Sequence, residues 1–118
     1  MRTTTVRRTQ LAQARGGTTA ASVYSPTQGT IVCVQSILLA NTSGADATYR
    51  IFHDNDGTTY SEATALAWDV SLPADSIVHL EANTEEGHIY ADNPDGNIAF
   101  RCSVANAITI TLYGRVLT

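Results

Sequence analysis

From Thr30 to the C-terminus the chain repeats one pattern: short segments rich in Val, Ile, Thr and aromatic residues, separated by clusters of Gly, Asn, Asp, Ser and Pro. Such segments bounded by turn formers read as β-strands. The first, TIVCVQSILLAN, is apolar on both faces, with Ile31, Cys33, Ile37 and Leu39 on one and Val32, Val34 and Leu38 on the other. That predicts a central strand covered on both sides. In ATYRIFHD, Tyr49 and Ile51 alternate with Arg50 and Phe52, so this strand begins to face water. LAWDVSLP sends Leu66, Trp68, Val70 and Leu72 to one side and Asp69 and Ser71 to the other, and Pro73 closes it because it has no N–H for a ladder.

SIVHLEAN, HIYADN, NIAFRCSVAN and AITITLYGRVLT complete a set of seven to eight strands, with Ile98, Phe100, Cys102 and Val104 sharing one face. No body segment sustains a 3.6-residue period, so a helical bundle or an α/β fold lacks its elements. The pattern predicts an all-β chain of two packed antiparallel sheets, a β-sandwich or jelly roll.

The opening stretch MRTTTVRRTQLAQARGG departs from this pattern. TTAASVYSP allows a short strand over 22–24, but residues 1 to about 20 show no core face and are expected to take their order from a partner. The division that follows is an extended basic N-terminal arm over 1–22, hinged at Gly16-Gly17, and a β-sandwich domain over 23–118. Charge sharpens the division. Arg2, Arg7, Arg8 and Arg15 face no carboxylate before Ser25, whereas the rest of the chain sets three arginines against eleven carboxylates. There is no lysine, and arginine's planar, multi-donor head suits fixed contacts with carboxylates and carbonyls.

Other classes find little support. No run approaches the ~18 apolar residues of a membrane span, and the N-terminus has no secretory pattern, which predicts a protein assembled in the cytoplasm. Cys33 and Cys102 lie in apolar segments without ligand or redox spacing and read as buried free thiols, although a disulfide between them stays open. His53, His79 and His88 have no metal-ligand spacing. DNDG at 54–57 opens like a calcium loop, but Ala65 stands where an EF-hand needs its bidentate Glu, so a turn is the favoured reading over weak calcium binding. No nucleophile elbow or phosphate loop occurs, and Asp69 with Glu81 would be an acid/base pair only inside a cleft. The expectation is no catalytic residue, no cofactor and no metal.

Four arginines could meet phosphates, but the acidic body repels a polyanion and no aromatics interleave with the basic residues, so nucleic acid is not the expected partner. The arm has no apolar face for a membrane. A carbohydrate-binding sandwich would need exposed rings, for which Tyr60 and Tyr90 are candidates while Trp68 and Phe100 read as inward.

The order VYSP, GTIVCVQSILLANTSGADATYRIF, LAWDVSLPADSIVHLEA, IYADNPDGNIAFRCSV and ITITLYG resembles small virion structural proteins of tailed bacteriophages. The shared run falls on Asn41, Thr48 to Ile51, Trp68 to Val70, Pro73 to Asp75 and Gly114. The resemblance implies a β-sandwich assembly part without catalytic residues, commonly trimeric, located in the virion. The leading expectation is a capsid decoration or cement protein whose arm binds the major capsid protein or another virion protein. Arg2, Arg7, Arg8 and Arg15 would pair with carboxylates of that partner, and Val23 and Tyr24 would anchor the arm. A tail, adaptor or fibre component is the alternative.

Overall fold

A computed structural model describes residues 6–25, 31–54, 59–81, 89–92 and 97–117. Nine strands are described: β1 Val6–Arg15, β2 Ala21–Tyr24, β3 Ile31–Asn41, β4 Ala47–Asp54, β5 Ala65–Leu72, β6 Ile77–Glu81, β7 Ile89–Asp92, β8 Asn97–Cys102 and β9 Ile108–Leu117. A short 3-10 turn, Glu62–Thr64, precedes β5. One sheet has the order β1-β9-β3-β6, with β7 also on β3; the other has the order β2-β8-β4-β5. All pairings are antiparallel. β6 pairs with Ser36–Ala40 and β7 with Ile31–Val34, so the two lie end to end along β3 as one interrupted edge. Counted so, eight strands divide four to a sheet, β4 and β5 being the one consecutive pair in the same sheet, in the order of a jelly roll. Among the described residues no helix is long and apolar enough to cross a membrane.

The core lies between the sheets. Val32, Val34, Ile37, Leu39, Ile108, Ile110 and Leu112 come from the first sheet, and Tyr49, Ile51, Leu72, Ile98, Phe100 and Cys102 from the second. Each large side chain removed from water contributes about 1.5–3 kcal/mol.

β3 corrects the alternation read from the sequence. A bulge between Val34 and Ser36 puts one extra residue, Gln35, opposite β9. One extra residue exchanges the faces. Val32 and Val34 therefore share the core with Ile37 and Leu39, and Cys33 is outside that cluster. β1 carries a matching bulge between Gln10 and Ala12. Both bulges flank Tyr113-Gly114 of β9, where a Cβ on Gly114 would run into the Cys33 carbonyl and come within 3.1 Å of Leu11 Cδ1. The bare backbone of Gly114 is what allows its neighbours so close.

The arm is also corrected. Val6–Arg15 is a full edge strand paired with β9, and Leu11, Ala12 and Ala14 pack against the core. Nor is Gly16-Gly17 a hinge. Gly16 N–H donates to Ile108 O at 3.0 Å, Asn106 N–H to Gly16 O at 2.8 Å, and Cys102 N–H to Gly17 O at 2.9 Å. Gly16 is buried where a Cβ would meet the Phe100 ring at 2.5 Å and Cys102 Sγ at 2.9 Å. The pair is the clamped crossing from the first sheet to the second.

Asn41, the residue of the resemblance's Asn turn, is buried at the end of β3. Its Nδ2 donates to Ala45 O at 2.9 Å and Leu72 O at 3.0 Å, and its Oδ1 accepts from Ser43 N–H at 3.0 Å and Ser43 Oγ at 2.8 Å. A buried amide with all four bonds made holds the 42–46 turn and ties it to β5.

Candidate functional site

Two surfaces collect the side chains that could meet a partner. The first is the β1 edge. Among the described residues β1 is bonded to β9 alone and stands at the end of its sheet. The open side presents backbone donors and acceptors to an incoming strand. Neither VRRTQLAQAR nor ITITLYGRVL contains a carboxylate, and together they carry Arg7, Arg8, Arg15 and Arg115. Arg8 stands opposite Arg115 in the ladder. Arg115 Nε is buried without a hydrogen-bond partner, and its Nη2 lies 4.0 Å from Cys33 Sγ.

Of the residues expected to bind, Arg7 and Arg8 hold these register positions and Arg15 is exposed at the end of β1. Arg2 lies outside the described residues. Val23 and Tyr24 lie in β2, beside β8, and pack against the core; burial raises the Tyr24 phenol above its ordinary 10.0. They hold the second sheet, at a distance along the chain from the arginines of β1.

The second surface, which the alternation read from the sequence missed, is the outer face of the second sheet. There Arg50 Nε and Nη2 donate to Asp69 Oδ1 and Oδ2 at 2.6 and 3.0 Å. Arg101, beside Arg50 in the ladder, places Nη1 3.7 Å from Asp69 Oδ1. The Arg50 hydrogen bond holds the Asp69 carboxyl below its ordinary 3.8, and the same bond raises the Arg50 guanidinium. Arg50 Cζ also sits 3.6 Å from the Trp68 ring centroid. Guanidinium on indole combines cation–π attraction with stacking.

Beneath them, Phe52 meets Trp68 edge-on at 6.1 Å and 89°, and Tyr60 at 6.0 Å and 44°. Phe52 is thus only 1% exposed although it points away from the main core. The cover is fixed by Ser61, whose Oγ accepts from Ala63 N–H, and by Thr64, whose Oγ1 donates to Thr59 O at 2.8 Å.

Strand β5 explains why this was missed. Two irregularities shift its register against β4, and Asp69 adopts φ 50°. Of the four residues read as core-facing, only Leu72 is buried; Leu66, Trp68 and Val70 are 49%, 38% and 40% exposed. Val104 is also exposed, because β8 ends at Cys102. The runs Thr48–Ile51 and Trp68–Val70, singled out in the sequence without any contact being assigned between them, meet here through Arg50, Trp68 and Asp69.

These rings form no flat sugar platform, since they meet at steep angles and Arg50 covers one indole face. Tyr90's side chain lies outside what is described. Asp69 and Glu81 sit on different sheets, and Asp69 is engaged by arginine, so they are no acid/base pair. Among the described residues, no three His, Cys, Asp or Glu side chains gather as a metal site. Cys33 and Cys102 are buried free thiols, unjoined.

No protein-family model matches the chain, and no curated protein sequence does. Among solved structures it is similar to a chain of the Bacillus endospore appendages, described as a novel family of disulfide-linked pili. The two share 14% identity over 98% of this chain and 88% of that one, with a TM-score of 0.52. It is also similar to a chain of infectious bursal disease virus strain Gx, at 13% identity over 97% of this chain and 32% of that one, with a TM-score of 0.47. At this identity the likeness to the appendage chain is one of fold.

Proposed function

We propose that this chain is a non-enzymatic virion structural protein, a capsid decoration protein of the tailed-bacteriophage kind, that docks on the major capsid protein through β1. The observation that carries this reading is the open edge of a strand pair with four arginines and no carboxylate. An edge of this kind recruits a partner strand by main-chain hydrogen bonds, and its guanidiniums select carboxylates through charge-assisted pairs. The resemblance to small phage structural proteins supports the virion as the setting and a homotrimer as the working unit. The disulfide linkage named for the Bacillus appendages has no ready counterpart, because both thiols here are buried.

Deleting the arm is a poor test, since it removes a sheet strand. Replacing Arg2, Arg7, Arg8 and Arg15 with Gln keeps the strand and removes its charge. Particles assembled with this variant are expected to lose occupancy and heat resistance while the free protein melts as the parent does; unchanged occupancy overturns the proposal. Labelled protein distributed over the icosahedral shell supports decoration, whereas signal confined to the tail or one vertex selects the tail or adaptor reading.

A further inference from the structure

The first sheet ends in β1 on one side and in β6 on the other, and among the described residues each of these strands is bonded to one neighbour only. Such edges accept a further strand unless something blunts them. β6 is not blunted: Ile77–Glu81 pairs with β3 without a break in register and contains no proline. β5, at the end of the second sheet, is a poorer template, because two irregularities and the left-handed Asp69 bend it. Ile77, where β6 begins, is 68% exposed, an apolar side chain that an added strand would cover.

The two ends carry opposite charge at the same spacing. Residues 51–100 hold ten carboxylates and no arginine or lysine, whereas β1 and β9 hold four arginines and no carboxylate. Asp75, just before β6, and Glu81, at its end, are six residues apart. Arg8 and Arg15 are seven apart in sequence, but the β1 bulge takes one residue out of the ladder, so they stand opposite Arg115 and Thr109, six apart on β9. Arg15 and Asp75 are exposed, and neither joins an ion pair among the described residues. Direction agrees as well. β1, β9, β3 and β6 alternate in direction across the sheet, so the β1 of a second copy laid antiparallel on β6 continues the alternation with both copies in the same orientation. In that register Arg8 stands opposite Glu81, and Arg15 opposite Asp75.

We propose that β6 takes β1 of a second copy of this chain, extending the first sheet from one molecule to the next. Main-chain hydrogen bonds supply the attachment, and the matched charges set its register. A head-to-tail contact of this kind closes into a ring or continues as a filament. The inference rests on the reading of β1 as the docking strand and adds a second occupant: in the free protein β6 of a neighbouring copy covers the edge that the shell later takes.

The test sediments the full chain, without shells, over a range of protein concentrations. The parent is expected to exceed its monomer mass of 12.6 kDa as concentration rises, and to return towards it in about 1 M salt, where the Debye length falls to about 3 Å. Arg8→Glu with Arg15→Glu reverses one edge, and Asp75→Arg with Glu81→Arg the other; each pair is expected to weaken association at least ~10-fold. Mixing the two variants sets every reversed edge against an opposite charge, so association is expected to return, which a folding defect would not allow. A parent that stays monomeric at every concentration, or associates with no response to salt, overturns the inference. So does association unchanged in both variants, or absent from a mixture of variants that melt as the parent does. The docking reading fails separately, on unchanged particle occupancy of the arginine-to-glutamine variant, whatever mass the free protein shows.

Discussion

Arg50 and Asp69 are joined by two parallel hydrogen bonds, at 2.6 and 3.0 Å, although Asp69 must adopt a left-handed backbone, φ 50°, to reach its partner. Non-glycine residues occupy that region at a cost unless a local interaction offsets it. Here the bidentate pair and the Trp68 indole under Arg50 provide the offset, in a cluster on the open face of a sheet.

The cluster has an acid limit. The Asp69 carboxyl is held below 3.8, chiefly by the Arg50 hydrogen bond, so its folded value lies under its unfolded one. Its contribution is complete above about 3.8 and is lost as pH falls through the lower, folded value. Trp68 is the sole tryptophan, so its fluorescence reports this site alone. The expected acid transition has its midpoint below 3.8 in the parent and is absent in Asp69→Asn; a midpoint at or above 3.8 would contradict the pairing.

Gly16 and Gly17 should behave in opposite ways. A methyl at Gly16 strikes the Phe100 ring and Cys102 sulfur, whereas at Gly17 it meets nothing within 4 Å. Gly16→Ala is expected to cost about 1–3 kcal/mol in urea unfolding, and Gly17→Ala to stay within about 0.5 kcal/mol. Equal effects would restore the hinge.

On β5, stability and exposure should separate along the strand. Leu72→Ala, in the core, is expected to cost about 2–5 kcal/mol, while Leu66→Ser and Val70→Ser stay within about 0.5 kcal/mol. Thermal melts of the three variants decide whether these apolar side chains lie outside the core.

Removing residues 1–15 takes away β1 and the packing of Leu11, Ala12 and Ala14. The truncated protein is expected to lose about 3 kcal/mol or more. A truncation as stable as the parent would return these residues to the status of a free arm.

Both thiols should be silent in the native protein. Cys33 and Cys102 are fully buried and unjoined. A thiol reagent is expected to label neither quickly in native buffer and both in denaturant. Absence of label in denaturant without reductant would indicate a disulfide.

The fold class was legible in the chain by itself, because period-two alternation and turn clusters are local properties written in side-chain type. The core face shared by Ile98, Phe100 and Cys102 in β8 followed from the same alternation, and so did the face shared by Tyr49 and Ile51. Three matters were decided only in three dimensions. Gln35 in β3, Leu11 in β1 and the irregular register of β5 each break the count of two, and a single extra residue reverses every later face. β1 joined the sheet through main-chain hydrogen bonds, which any sequence can make, and its small inward residues Ala12 and Ala14 left little apolar pattern to read. The meeting of Arg50 with Trp68 and Asp69 needed two strands to pair, and strand pairing is a long-range relation that local pattern does not encode.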